Sequence, residues 1–314
     1  MPEPVFRRPA ILPEPVFRRL AILGVGLIGS SLARVAMERG TICAELVVSD
    51  QSPGVLERVR ALGIADRVEA DPAEAVRGAD CVMLAAPVGA FAQIAAAIAP
   101  HLAPGAIVTD TGSTKMSVIR DVAPLLPDHV RFVPGHPMAG TEYSGPDAGF
   151  STMFEGRWCL LTPPPGTDPA AIEAIGELWR RCGSMVEVME PGHHDRVVAI
   201  VSHLPHLIAF TICGTAENLA AEGERGSDVA TRSEVLKFAA SGFRDFTRIA
   251  ASDPVMWRDV FLNNREALLE MLARFTEDAQ AMARAVRWGD AGYIEDKIER
   301  GREIRRGLIE INQA

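Results

Sequence analysis

Aromatic side chains are scarce. Tyrosine occurs twice in 314 residues, and Phe, Trp and Tyr together make up 6%. Basic residues are outnumbered, 32 Lys and Arg against 41 Asp and Glu, for a formal net charge of −9. That balance argues against a nucleic-acid-binding surface, which is normally basic. It leaves room for a local basic pocket that takes an anionic small molecule. Cysteine is sparse and scattered, at positions 43, 81, 159, 182 and 213, with no CxxC pair and no Cys/His cluster of the kind that holds a metal. An odd, dispersed set fits reduced thiols in a cytosol, with four of the five in apolar surroundings where they would be buried and inert. The N-terminus is rich in Pro and Arg and shows no apolar run suited to a secretory signal. The most apolar later stretch, Val197 to Gly214, contains Ser202, His203, Pro205 and His206. It reads as a poor membrane span and a good buried helix. A soluble cytoplasmic protein with no membrane partner is expected. Histidine, finally, occurs only seven times.

What remains is ordinary globular composition, 48% hydrophobic and 23% charged, in a chain long enough for two domains. Residues 2–12 (PEPVFRRPAIL) and 13–23 (PEPVFRRLAIL) differ only at Pro9 and Leu20. This tandem duplication of one strand-sized unit goes no further. Pro9 would remove a ladder hydrogen bond from a central strand, so residues 1–17 are expected to be a dispensable tail, with an added edge strand or arm as the alternative.

From Arg18 short apolar runs alternate with helical patterns. Strands are expected at Arg19–Leu23, Glu45–Ser49, Cys81–Ala85, Ala106–Asp110, Arg131–Val133, Trp158–Leu161 and Met185–Val188. Helices are expected at Leu27–Arg39, Pro53–Leu62, Ala73–Val76, Ala90–Ala99, Lys115–Leu125 and Pro169–Arg181. Such alternation implies a parallel sheet covered by helices on both faces. After about Met189 only helical stretches follow: His194–Ala221, Glu234–Phe238, Asp253–Trp288 and Tyr293–Ile311. The last carries Ile294, Ile298, Ile304, Leu308 and Ile311 as a narrow apolar stripe, which suits internal packing and a dimer seam about equally. The expected organisation is an α/β parallel-sheet domain over 18–190 and an all-helical domain over 191–314.

The first strand runs into Gly24-Val-Gly26-Leu-Ile-Gly29 and then a helix. A bare GxGxxG is weak evidence, but this one sits between a strand and a helix, the context of a dinucleotide-binding Rossmann unit. Gly24 permits the tight turn, Gly26 lets the backbone approach a pyrophosphate, and Gly29 allows close packing of helix on strand. Leu27 and Ile28 lie within the motif and share its cofactor contacts. The helix N-terminus offers free N–H groups to the phosphates. Asp50 ends the second strand 21 residues beyond Gly29, where a carboxylate would bond the ribose 2′-hydroxyl. It would repel a 2′-phosphate, and Gln51-Ser52-Pro53 supplies no Arg to bind one. NAD is therefore expected over NADP. Two further loops at strand ends, one with Ala86 and Pro87 and one with Thr111, Gly112 and Ser113, should line the nicotinamide half. Ser113 and Thr114 also suit the role of helix N-caps.

Next comes Val133-Pro-Gly-His136-Pro-Met-Ala-Gly-Thr141-Glu142, expected as a loop on the same rim as Ser113. An imidazole suits a general base near neutral pH, and a purely structural His is equally compatible. His203 and His206 lie three apart on one helical face, with Pro205 expected to kink or loosen that helix. Buried without hydrogen bonds they would be costly, so they are either a pocket or a satisfied core pair. Arg248 lies near Arg244, Asp245 and Asp253. It offers either a structural ion pair or a planar fork for a carboxylate ligand.

Together the GxGxxG–Asp unit, DTGSTK, GHPMAGTE, SHLPH and GFRDFTRIAxSDPxMWRDVFLxN resemble the prephenate/arogenate (cyclohexadienyl) dehydrogenases of tyrosine biosynthesis, over about residues 18–312. The resemblance implies a Rossmann domain followed by a helical dimerisation domain, similar in plan to 6-phosphogluconate dehydrogenase-like enzymes, and a homodimer. It implies that His136 accepts a hydrogen bond from the ring 4-hydroxyl of the substrate. Ser113 bridges that hydroxyl, the His and the nicotinamide. By the same resemblance His206 lines the substrate pocket, Arg248 anchors a substrate carboxylate, and Asp245 and Trp257 are pocket neighbours. It gives Thr141 and Glu142 no definite chemistry. The implied reaction is oxidative decarboxylation by NAD⁺, driven by aromatisation and requiring no metal. Two alternatives are another NAD-dependent hydroxy-acid or imine reductase of the same plan and a catalytically silent NAD-binding dimer. Nothing in the sequence decides between prephenate and arogenate.

Overall fold

A computed structural model describes residues 14–224 and 232–310. Most of the duplicated segment, and with it the question of a tail or an added strand, lies outside the described residues.

The first part of the chain alternates as its apolar runs imply. In order come β1 (Phe17–Leu23), α1 (Leu27–Arg39), β2 (Cys43–Ser49), α2 (Pro53–Leu62), β3 (Arg67–Glu69), α3 (Pro72–Val76), β4 (Cys81–Leu84), α4 (Phe91–Ile98), β5 (Ile107–Asp110), α5 (Met116–Val122) and β6 (Arg131–Val133). The six strands form one parallel sheet in the order β3-β2-β1-β4-β5-β6. The order reverses between β1 and β4, so a crevice opens outside the carboxyl ends of these strands, the usual ligand position in open α/β sheets. Leu20 and Ile22 of β1 bury into one apolar cluster, and Ala21 and Leu23 into another on the opposite face. Burial on both faces is why the strands read as continuous apolar runs.

Three differences from the sequence reading follow. Arg67–Glu69 is a strand that its charged composition concealed. Trp158–Leu161 (β8) and Met185–Val188 (β9) leave the parallel sheet and join a second one, β7-β8-β9, whose first strand β7 is Gly135–Pro137. His136 is therefore in a strand and not a loop, paired antiparallel opposite Leu160. Three residues containing Gly and Pro carry no strand signal of their own; β8 imposes the extended backbone. Helix α6 (Pro169–Arg181) lies between β8 and β9, capped by Asp168, whose carboxylate accepts from Ala170 N–H.

From Pro191 onward every regular element among the described residues is helical: α7 (Pro191–Val198), a π-turn over Ala199–His203, α8 (Leu204–Glu224), α9 (Arg232–Phe238), α10 (Ser241–Thr247), α11 (Pro254–Asn263), α12 (Arg265–Trp288) and α13 (Ala291–Glu310). The irregularity expected around Pro205 is the π-turn just before it, a feature common at functional sites. The stretch expected as one helix from Asp253 to Trp288 breaks at Asn264, whose backbone leaves the helical region. The apolar segment expected to be buried, Val197 to Gly214, is only partly so. Residues 191–222 are long and apolar enough to cross a membrane by length and composition, yet Ile200, Val201, Ile212 and Leu219 are exposed in the single chain. Pattern counts apolar residues but does not say what covers them.

The chain divides into two compact units, 1–265 and 266–314. The second is a helical hairpin. Gly289, at φ +65°, closes its turn, Asp290 accepts from Tyr293 N–H at 3.1 Å, and Lys297 reaches Asp278 at 3.2 Å. Ile298, Ile304 and Leu308 of the expected stripe are exposed, and Ile311 lies outside the described residues.

Candidate active site

The end of β1 shows what the three glycines are for. Gly24 adopts φ +99°, a conformation side chains rarely take, and a Cβ there would sit 2.6 Å from Ala86 N. A Cβ on Gly29 would strike the Gly24 carbonyl oxygen. At Gly26 a Cβ would meet no heavy atom within 4 Å, so the space over the loop is open. Ser30 N–H is the first amide of α1 to find a partner, Gly26 O at 3.0 Å. The preceding amides of the helix remain available to an anion. A pyrophosphate fits this cradle.

Asp50 does more than the sequence suggests. Its carboxylate accepts from Val25 N–H at 2.9 Å and from Ser52 N–H at 2.9 Å. It therefore ties the glycine loop to the start of α2 while standing at the end of β2. Ala86 is half-buried and Pro87 exposed at the end of β4. Across the switch point Thr111 N–H bonds Leu84 O at 3.0 Å, and Gly112 N–H donates to Asp110 at 2.7 Å.

Below this loop lies a buried ion pair. Lys115 Nζ is 2.5 Å from Asp110 Oδ2 and also reaches Gly135 O. Both side chains are wholly enclosed. Burial pushes the Asp110 carboxyl up and the Lys115 ammonium down, and each partner opposes the shift of the other. Asp110 also accepts from Gly135 N–H at 3.2 Å. The pair thus pins the backbone beside His136 to the end of β5.

Ser113 is not a helix cap. The first amides of α5, Lys115 N–H and Met116 N–H, are taken by the Asp195 carboxylate at 2.8 and 2.9 Å, from 80 residues away in sequence. Thr114 pairs with Ser117 at 2.8 Å. Ser113 is left half-buried at the rim, with its hydroxyl uncommitted among the described residues.

His136 is 8% exposed. Its Nδ1 lies 2.9 Å from His194 Nε2, and His194 Nδ1 lies 2.8 Å from Asp195 Oδ1. Burial, then the positive charges available to His194, Lys115 and His203, holds His136 well below the usual imidazole range. Burial lowers His194 too, against the raising effect of Asp195. His203 is pushed down to about 4, chiefly by burial. Asn264 Nδ2 donates to the Asp195 carbonyl at 2.9 Å and lies 3.0 Å from His203 Nδ1, which explains the helix break there.

On the neighbouring helix His206 Nδ1 donates to Ser202 O at 2.9 Å, across the π-turn. Its ring stacks on Trp257, with centroids 3.6 Å apart and planes inclined by 22°. Burial lowers its pKa, and the nearby Arg248 charge adds to the effect. Arg248 is 62% exposed and contacts Glu142 Oε2 at 3.4 Å, so most of its fork is free. Asp245 is exposed, with no partner among the described residues. The fold therefore brings His206, Trp257 and Arg248 together.

Sequence reasoning missed Lys115, His194, Asp195 and Asn264 as members of this network. A signal existed for two of them. Glu190-Pro191 is a helix start, and its carboxylate accepts from Gly192 N–H and His193 N–H at 2.8 and 2.6 Å. A His-Asp pair in the first turns of a capped helix, at a boundary between folding patterns, is unusual enough to mark.

A glycine cradle at a sheet switch point, in a chain that also holds a buried imidazole and an uncommitted hydroxyl after β5, is the arrangement of a nucleotide-dependent dehydrogenase. Residues 33–188 match the profile described as prephenate dehydrogenase, nucleotide-binding domain, and 190–299 the profile described as prephenate dehydrogenase, dimerization domain. The chain is 40% identical to the cyclohexadienyl dehydrogenase of Zymomonas mobilis over 288 residues, 91% of this chain and 94% of that one. A crystal structure of the A. aeolicus prephenate dehydrogenase with hydroxyphenyl propionate and NAD⁺ aligns with TM-score 0.82 and 33% identity, covering 93% and 98% of the two chains. Synechocystis arogenate dehydrogenase aligns with TM-score 0.76 and 25% identity, over 92% and 99%. The chain belongs to the prephenate dehydrogenase family, a Rossmann-type domain followed by a helical dimerisation domain.

Proposed function

We propose that this chain oxidatively decarboxylates prephenate, arogenate or both, to 4-hydroxyphenylpyruvate or tyrosine, with NAD⁺ as hydride acceptor. The observation that carries this reading is His136: buried, held well below the usual imidazole range, and paired through Nδ1 with His194. Bound NAD⁺ supplies the acceptor for the hydride from ring C4. The 4-hydroxyl, once it has lost its proton and C4 its hydride, is a carbonyl; the ring carboxylate then leaves as CO₂, its bond pair enters the ring, and the oxygen takes a proton back as a phenol. Aromatisation supplies the driving force, so the protein needs only to position and to take charge of a proton.

In this reading His136 Nε2 accepts the 4-hydroxyl proton, and Ser113 holds that hydroxyl against it. His206, backed by Trp257, forms the pocket wall. Arg248 offers its free N–H groups to a carboxylate, meeting locally the charge of a dianion in an acidic protein. Asp245 is proposed as a pocket neighbour on the resemblance alone. On the cofactor side Gly24, Gly26, Leu27, Ile28 and Gly29 cradle the pyrophosphate. Asp50 receives the adenosine ribose with its remaining lone pairs and disfavours a 2′-phosphate. Ala86, Pro87, Thr111, Gly112 and Ser113 flank the nicotinamide. We take the sequence-derived boundary near residue 190 as the functional division.

We infer a homodimer, supported by the dimerisation-domain match and by the exposed apolar residues of α8 and α13. The same exposure favours a subunit-facing helix over a membrane span for residues 191–222, because Ser202, His203 and His206 belong to the site. Five free cysteines, four of them buried, fit the cytosol. Measuring kcat/KM for prephenate, arogenate and a simple 2-hydroxy acid, each with NAD⁺ and NADP⁺, tests the reading. One or both cyclohexadienes should turn over, with NAD⁺ preferred. Preference for the hydroxy acid would assign a reductase of the same plan. NAD⁺ binding without turnover would assign a silent scaffold.

A further inference from the structure

We propose that His194 is a positioning residue that fixes the tautomer of His136, taking its Nδ1 proton in a hydrogen bond and leaving Nε2 as the acceptor toward substrate. This rests on the function proposed above.

The argument starts at Asp195. Its oxygens accept from Lys115 N–H and Met116 N–H at the start of α5, where the helix dipole favours an anion. A carboxylate can only accept, so the ring nitrogen 2.8 Å from Oδ1, His194 Nδ1, carries a proton. The other nitrogen of a neutral imidazole is then a lone pair. That lone pair, His194 Nε2, faces His136 Nδ1 at 2.9 Å, so His136 Nδ1 in turn carries a proton. His136 Nε2 is left as the acceptor. It has no partner among the described residues, and it is not among the fully enclosed unpartnered atoms, so it is the polar tip through which the ring meets the cleft.

Both rings are kept neutral by burial. Lys115, at the start of α5, opposes a charge on either ring, and His203 from the π-turn opposes one on His136; Asp195 and Asp110 favour a charge on His194, but burial outweighs them. The Nδ1–H form is the minor tautomer of a free histidine. Without His194 the ring would favour Nε2–H and present a donor where the reaction needs a base. With it, the proton that arrives at Nε2 creates an imidazolium whose Nδ1–H already has an acceptor, and Asp195 stands one ring away. The three residues share the logic of base and orienter found in catalytic triads, with a second imidazole inserted. Asn264 helps to hold Asp195 in place through its backbone carbonyl.

The test compares His194→Asn with His194→Gln. The Asn amide keeps a polar atom near Nδ1 and loses the acceptor at Nε2, whereas the Gln carbonyl restores it. Side-chain ¹⁵N NMR of the wild-type protein should show His136 protonated at Nδ1 and bare at Nε2, a readout that needs no turnover. In His194→Asn the proton should move to Nε2, with kcat lower by roughly 100-fold and the KM values of both substrates nearly unchanged. His194→Gln should recover the tautomer and much of kcat. A wild-type His136 protonated at Nε2, or a folded His194→Asn with unchanged tautomer and kcat, would overturn the proposal. If the wild-type protein turned over neither cyclohexadiene, the function would fail while the tautomer result still stood.

Discussion

The two ends of the cleft are built differently. The pyrophosphate and ribose part of the proposed cofactor end comes from one local stretch, β1 through the start of α2. The chemical end gathers Asp110, Lys115, His136, His194, His203, Arg248, Trp257 and Asn264 from across more than 150 residues. At the cofactor end backbone does the work, so glycines and one Asp suffice. At the chemical end the buried Asp110, Lys115, His136, His194, His203 and Asn264 hold one another, so removing one of these leaves a neighbour stranded.

That difference sets how perturbations should separate. His136→Asn should lower kcat by roughly 10²–10⁴-fold, the usual worth of a general base, with little change in NAD⁺ KM; steady-state kinetics would show it. Lys115→Ala should cost roughly 3–5 kcal/mol, because the Asp110 carboxylate would be left buried and unpaired. Urea denaturation measures this, and a loss below 1 kcal/mol would mean the pair does not lock β5 to β7 (roughly the scale of an exposed pair). Arg248→Ala should raise the substrate KM by roughly 10-fold, the value of one charge-assisted contact, and spare kcat. Asp50→Ala should do the mirror image, raising NAD⁺ KM by a similar factor (about 10-fold) while leaving the substrate KM alone. If Asp50→Ala and Arg248→Ala shifted the same parameter, the division into two ends would be wrong.

The smallest effect concerns stability. His136, His194, His203 and His206 all titrate below their ordinary value in the fold. The unfolded chain therefore binds protons more readily. Their contribution is complete above about pH 6.5 and is lost as pH falls toward the lowered values, about 4 for His203. The melting temperature should drop across that window, and less so in His203→Gln.

The same contrast explains what sequence could show. The glycine loop, Asp50 and most helix bounds, such as Leu27–Arg39 and Pro53–Leu62, follow from local periodicity and spacing. The strand at His136 did not, because its pairing partner Leu160 lies 24 residues on and supplies the extended backbone. Asp195 was invisible as the cap of α5, since capping rules look for a residue adjacent to the helix. Lys115, known from the sequence only as a helix start in DTGSTK, carries no local sign that the fold encloses it. Motif resemblance reached His136, Ser113, His206 and Arg248, but it could not show that a second histidine and a distant carboxylate stand behind the first.

The central claim is that a neutral His136 takes the substrate proton. The pH dependence of kcat, measured on wild type and on His136→Asn, tests it most directly. The base is active unprotonated, so kcat should stay level as pH falls to 6.5 and decline only well below it, following the lowered value of the buried ring. In His136→Asn that acid limb should vanish and leave a low, flat profile. An acid limb at or above pH 6.5, or the same limb persisting in the variant, would contradict the account.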